Sequence, residues 1–216
     1  MGRWSLALIL LLAAPSSLRA QEKSPRLELM MPSQIVAGTD APSVSLANML
    51  AEGNRRELLS AGWPTVMHCR VELWKRSRII FFDRESFVEW ELTVEYTPAT
   101  RLYHVWRQQE GKVDDLGQFS TIEEAERVVD RPYRVPLSPK KSGGRYYYAF
   151  SVDQSTLSGN DLDAWQRWVR GDAKPALRGD SSRITAIQRG VGSLLSRVLG
   201  GQTQHYERRS ATFPAG

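Results

Sequence analysis

Two stretches of this chain alternate between apolar and polar side chains with a period of two residues, and that pattern constrains the fold more than any other. In the first, Met67, Cys69, Val71 and Leu73 alternate with His68, Arg70 and Glu72; in the second, Val88, Trp90, Leu92, Val94 and Tyr96 alternate with Glu89, Glu91, Thr93 and Glu95. Successive side chains of a strand point to opposite faces, so each stretch predicts a strand with one apolar and one charged face. An antiparallel sheet that is solvated on one side accommodates two such strands. Arg70 and Glu72 then face the glutamates of the second strand, and the glutamate row reads as solubilising ion pairs on a wet face rather than as acid–base machinery.

The rest of the chain supplies shorter elements of the same kind. Leu27 to Met31 and Val44 to Leu46 are read as strands separated by turns containing Gly and Pro. Thr97 to Thr100 is a turn. Arg101 to Arg107 returns as a strand with Leu102, His104 and Trp106 on one face and Tyr103 and Val105 on the other, followed by a wetter loop through Gly111. Tyr133 to Leu137 predicts a short strand, Lys140 to Gly144 a basic turn, and Arg145 to Val152 a strand with Tyr146, Tyr148, Phe150 and Val152 in register. Asn54 caps a brief helix with Leu58 and Leu59, and Ser120 with Glu123 forms a capping box ahead of Ile122, Ala125, Val128 and Val129. Ser158 or Asp161 caps a third helix carrying Leu162, Trp165, Trp168 and Val169. Residues 182–199 place Ile184, Ile187, Val191, Leu194, Leu195 and Val198 at helical spacing, with Arg183, Arg189 and Arg197 around the stripe. Gln204 to Phe213 leaves room for a short final strand.

The first twenty residues read as an address. Arg3 is followed by an apolar run from Trp4 to Ala14, and Leu18-Arg19-Ala20 precedes Gln21 with the small residue that a signal peptidase accepts. The run is about half of the ~20 residues a spanning helix needs, and Pro15 follows it, so a retained anchor is the weaker reading. The expected organisation is therefore a signal peptide over 1–20, an antiparallel β-rich domain over 21–172 and a basic C-terminal tail over 173–216. The tail's charge is distinctive. Residues 171–216 hold seven Lys or Arg against three acids, while the whole chain is formally +5. Any attraction to anionic lipid or an acidic partner is expected there.

A lone cysteine in an exported chain cannot build a disulfide framework, so the domain must stand on its core. Seven tryptophans, seven tyrosines and six phenylalanines supply one. Cys69 shares the apolar strand face and is expected buried, with His68 pointing away from it and unable to serve as its base. No phosphate loop, nucleophile elbow, zinc-protease helix or paired-cysteine spacing is present. His68, His104 and His205 are scattered singly. Asn160-Asp161-Leu162-Asp163 has the oxygens of a calcium loop without its distal glutamate, and capping at a helix start explains it. Tyr146 and Tyr148 are core candidates, which leaves Tyr147 free for a surface contact.

Ala61-Gly62-Trp63-Pro64 ahead of Val71-Glu72-Leu73-Trp74, Phe82-Asp83-Arg84 before Glu89-Trp90, Val94-Glu95-Tyr96, Arg131 to Pro136, the tyrosine strand and Trp165-Gln166-Arg167-Trp168 together give a resemblance. Over Leu58 to Asp172 the chain resembles an uncharacterised family of exported bacterial proteins defined by one domain of unknown function. The resemblance implies no assigned activity and no catalytic residues. The genomic neighbourhood of some members, near membrane sensor kinases, hints at envelope signalling.

The expected fold is mainly β, an antiparallel sheet or β-sandwich with about three short helices and a C-terminal amphipathic helix. The expected function is that of a non-enzymatic binding or interaction module of the cell envelope, periplasmic or secreted. Its candidate interaction residues are Arg183, Arg189, Arg197 and Tyr147, and its expected partner is an envelope protein or an anionic membrane surface. Nucleic acid is excluded by export, and no cofactor, metal or catalytic set is assigned. The alternatives are an envelope hydrolase, which would need His104 or His68 within reach of a carboxylate in a pocket, and a membrane-associated scaffold held by the tail helix.

Overall fold

The computed structural model describes residues 24–51, 53–77, 81–156 and 203–216. In chain order the elements are β1 (Arg26–Met30), β2 (Ser43–Ala47), α1 (Gly53–Ser60), β3 (Thr65–Arg76), β4 (Phe82–Thr97), β5 (Leu102–Gln109), β6 (Lys112–Phe119), α2 (Ile122–Val129), β7 (Tyr133–Arg134), β8 (Arg145–Thr156), β9 (Gln204–Arg209) and β10 (Phe213–Pro214). Strands hold 53% of these residues and helices 11%, so the protein is mainly β, and every strand pair is antiparallel.

β3 is the centre of the larger sheet, whose order is β10-β8-β3-β4-β5-β6, with β9 also pairing with β8. The register sets Cys69 between Trp90 and Val152, and Val71 between Val88 and Phe150. Met67, Cys69, Val71 and Leu73 are fully buried on this face, as the alternation requires, and Trp90, Leu92, Tyr148 and Phe150 extend it sideways. The smaller sheet, β1-β2-β7, and helix α2 share one core with this face. Val44 and Leu46 of β2 and Val128 and Val129 of α2 belong to the same buried cluster as Trp90 and Phe150.

Helix α2 begins one residue later than the sequence suggests. The capping box is Thr121 with Glu124, not Ser120 with Glu123: the Glu124 amide donates to Thr121 Oγ1 (3.2 Å), and Glu124 Oε2 accepts from the Thr121 amide (3.3 Å). The same carboxylate oxygen also takes the Ser120 amide and hydroxyl, at 3.1 and 2.9 Å. Only Glu124 lies three residues beyond the extended cap residue, which is the spacing the reciprocal pair needs. The buried stripe of Ile122, Ala125, Val128 and Val129 is the one expected.

Three strands differ from the sequence reading. The expected wet loop after β5 is instead β6, reached through a two-residue turn in which Glu110 (φ 50°) and Gly111 (φ 76°) both take positive φ, the conformation that matches strand twist. Lys112-Val113-Asp114-Asp115 has no apolar alternation because β6 is an edge strand exposed along much of its length. β7 is two residues long, pairing with Ser43 and Val44, before Val135 and Leu137 turn into the core. β4 starts at Phe82, and the register shifts between Leu73 and Trp74. Within the expected tail, β9 and β10 join the larger sheet on the outer edge of β8. The helices expected from Ser158 or Asp161 and over 182–199, and the Asn160–Asp163 segment, lie outside the described residues.

One buried polar group ties α1 to the sheet. Arg55, 6% exposed, donates to Gln154 Oε1 at 2.7 Å, and fully buried Gln154 donates to the Met49 carbonyl at 2.9 Å. A buried guanidinium stripped of an acceptor is costly. Gln154→Leu is expected to lower stability by about 2–4 kcal/mol, measured by urea denaturation; a loss under about 1 kcal/mol would show that the amide carries little of the load.

Candidate functional site

The charged face of the larger sheet carries the pairs that the alternation predicts. Arg70 Nε is 2.9 Å from Glu72 Oε1, and the same oxygen accepts from Arg84 at 2.9 Å. Arg70 also approaches Glu89 at 3.9 Å and lies over the Phe87 ring. Tyr147 stands on this face of β8. Its ring stacks on Trp74 (6.0 Å, 1° between planes) and meets the edge of Phe82 at 5.0 Å. Burial pushes its phenol upward, with the Arg209 charge opposing. Tyr146 and Tyr148 are fully buried and donate to the Lys141 and Leu137 carbonyls at 2.9 and 2.8 Å. Arg183, Arg189 and Arg197 lie outside the described residues.

The three histidines share this face, each beside a carboxylate. His104 Nε2 is 2.8 Å from Asp115, His205 Nδ1 is 2.6 Å from Asp153, and His68 Nε2 is 3.8 Å from Glu89. A row runs across four strands: His205 and Asp153 are paired neighbours, as are Asp153 and His68, and His68 and Glu91. Burial holds the His68 imidazole below its ordinary value against the pull of Glu89 and Asp153. Among the described residues no group of three or more His, Cys, Asp or Glu has the arrangement of a metal site. Neither hollow described next is lined by a histidine or a carboxylate.

The first hollow, about 250 Å³, lies where β2 and α2 meet the larger sheet, lined by Val44, Leu46, Trp90, Leu92, Val128 and Phe150, with Arg107 and Arg131 also lining it. Arg107 is held by Asp114 (2.7 and 3.2 Å) and sits over the Tyr133 ring. The volume falls below that of most small-molecule pockets, and the lining belongs to the core.

The second is an open cleft of about 630 Å³ at the end of the sheet where β3 finishes and β8 starts. Lys75, Arg76 and Ser77 line one side; Lys141, Ser142, Gly143, Gly144 and Arg145 line the other. Pairing of Lys75 with Tyr146 brings the two segments together. Lys75 Nζ sits 5.7 Å from the centre of the Tyr146 ring, whose hydroxyl fixes the Lys141 carbonyl. The turn is held from the chain's last residues: the Gly143 amide donates to Ala215 O (2.8 Å) and the Ala215 amide to Gly144 O (3.1 Å). Gly143 has φ 74°, and a Cβ on Gly144 would stand 2.6 Å from the Tyr146 ring, so the turn calls for two glycines. Asp83, opposite Lys75 on β4, forms no ion pair with it among the described residues. The result is four cations around one open basin whose lining also includes the Ser77 and Ser142 hydroxyls, an arrangement suited to phosphate or carboxylate oxygens. The basic turn was legible in sequence. Its pairing with Lys75 and Arg76, some 65 positions earlier, was not.

No family model, curated protein or solved structure matches the chain.

Cys69 is fully buried, and burial, with Glu91 and Asp153 adding to it, pushes its thiol far above the usual range. It is expected to resist alkylation in the native protein and to react within minutes in denaturant; fast native labelling would contradict the burial. Burial also raises Glu91 from 4.5 to about 7. The unfolded chain releases that proton near pH 4.5, so between about 4.5 and 7 only the folded state holds it, and its stabilisation is lost as pH rises through 7. His68, held low, works in the opposite direction. Glu91→Gln is therefore expected to flatten the pH dependence between 5 and 8 and to be more stable than wild type at pH 8 by on the order of 2 kcal/mol. Superimposable pH curves for the two proteins would rule this out.

Proposed function

We propose that the chain is an exported, non-enzymatic binding module of the cell envelope that recognises anionic groups on a partner through the cleft at the β3–β8 end of its sheet. The observation that carries this reading is the convergence of Lys75, Lys141 and Arg145 on one open basin that no acid lines among the described residues. Fixed glycines and a clamped turn make the basin pre-formed, which reduces the ordering cost of binding. The leader sequence and the resemblance to exported proteins support export. The larger sheet, with β9 and β10 from the expected tail joined to β8, supplies the scaffold.

The hydrolase alternative draws on the His104–Asp115 and His205–Asp153 contacts. Against it, the Asp115 side chain is 63% exposed, and both pairs lie away from the two hollows. The scaffold alternative, through Arg183, Arg189 and Arg197, depends on residues outside those described.

Calorimetric titration with inorganic pyrophosphate at low ionic strength tests the reading. Binding is expected, weakening as salt is raised, and Lys75→Gln with Lys141→Gln and Arg145→Gln is expected to reduce affinity at least tenfold with an unchanged thermal midpoint. Absence of binding, or equal affinity in the triple variant, would remove the cleft as the site.

A further inference from the structure

The cleft has an aromatic neighbour that a dissolved anion would not use. Phe81 is 58% exposed, more than any other large apolar side chain among the described residues. The amide of Ser77, which lines the cleft, donates to Phe81 O at 3.0 Å, so Phe81 stands at the cleft's rim. Beside it on the charged face are Phe82, Tyr147 and Trp74 in one stack, with Trp74 donating its ring N–H to Glu72 at 3.0 Å.

Cations that meet phosphates, amphipathic Trp and Tyr at the headgroup level and an exposed apolar side chain to enter the acyl boundary are what a bilayer surface selects. Resting on the anion-binding reading above, we infer that this end of the sheet docks on a membrane surface rich in anionic lipid. Lys75, Lys141 and Arg145 engage headgroup phosphates, and Phe81 enters the boundary below them. Its aromatic rim commits the site to a lipid source over a soluble phosphate. It also gives Tyr147 a role, since its stack with Trp74 and Phe82 stiffens the aromatic edge that meets the headgroups.

Flotation of the full chain with phosphatidylcholine vesicles, with and without phosphatidylglycerol, tests the inference. The wild type is expected to float only with the anionic vesicles. Each neutralised cation is expected to cost about fivefold in partitioning, hence about a hundredfold for Lys75→Gln, Lys141→Gln and Arg145→Gln together. Phe81→Ser is expected to cost about tenfold on vesicles while leaving pyrophosphate affinity unchanged. Phe81→Cys, labelled in the native state where Cys69 is buried, is expected to shift a polarity-sensitive dye to the blue on anionic vesicles. Pyrophosphate binding without vesicle binding overturns the lipid assignment and leaves anion recognition standing. Loss of both defeats both. Vesicle binding that survives the triple variant and leaves the dye in water assigns the membrane contact to another part of the chain.

Discussion

The pairing of β3 with β4 on one side and β8 on the other is the constraint from which the rest of the structure follows. Met67, Cys69, Val71 and Leu73 fill the face beneath β2 and α2 only because Trp90, Leu92, Phe150 and Val152 stand beside them in register. A slip of one residue in β3 would carry His68, Arg70 and Glu72 into that core and set four apolar side chains in water. Burying those charges unpaired would cost several kcal/mol each, so the register is held by what it excludes as firmly as by what it packs. With a single cysteine and no disulfide, this stack is the main source of stability.

The same register decides what the surface offers. Because β3 and β8 run antiparallel, the end of one meets the start of the other, and the cations that close β3 fall beside the basic turn that opens β8. The clamp from Ala215 onto Gly143 and Gly144 then holds that turn in one shape. Repulsion among four like charges is tolerable there because the basin is open and solvent screens it. The opposite arrangement holds for Arg55, whose charge is buried and therefore needs the Gln154 amide and the Met49 carbonyl close at hand.

The histidine–carboxylate row on the charged face follows from strand register. His205, Asp153, His68 and Glu91 follow one another across four strands, yet alternation alone would bring such residues together on any wet sheet face. Burial moves Glu91 and His68 in opposite senses, which favours the neutral form of each. The raised Glu91 makes the sheet's stability depend on pH, and the lowered His68 works against it.

The sequence by itself determined the local grammar: the two amphipathic strands, the faces they bury, the burial of Cys69, the stripe of α2 and the direction of the charged face. These are legible because side-chain periodicity of two or of 3.6 is imposed by backbone geometry and needs no partner to be read. Only the tertiary structure decided the rest. β6 carries no alternation and exists because β5 offers it a ladder; the capping box shifts by one residue because Thr121, not Ser120, takes the extended cap conformation. Tyr147 is set in an aromatic stack with residues of two other strands. The basic cleft joins β3 to a turn far along the chain, and such juxtaposition depends on strand order, which local periodicity does not encode.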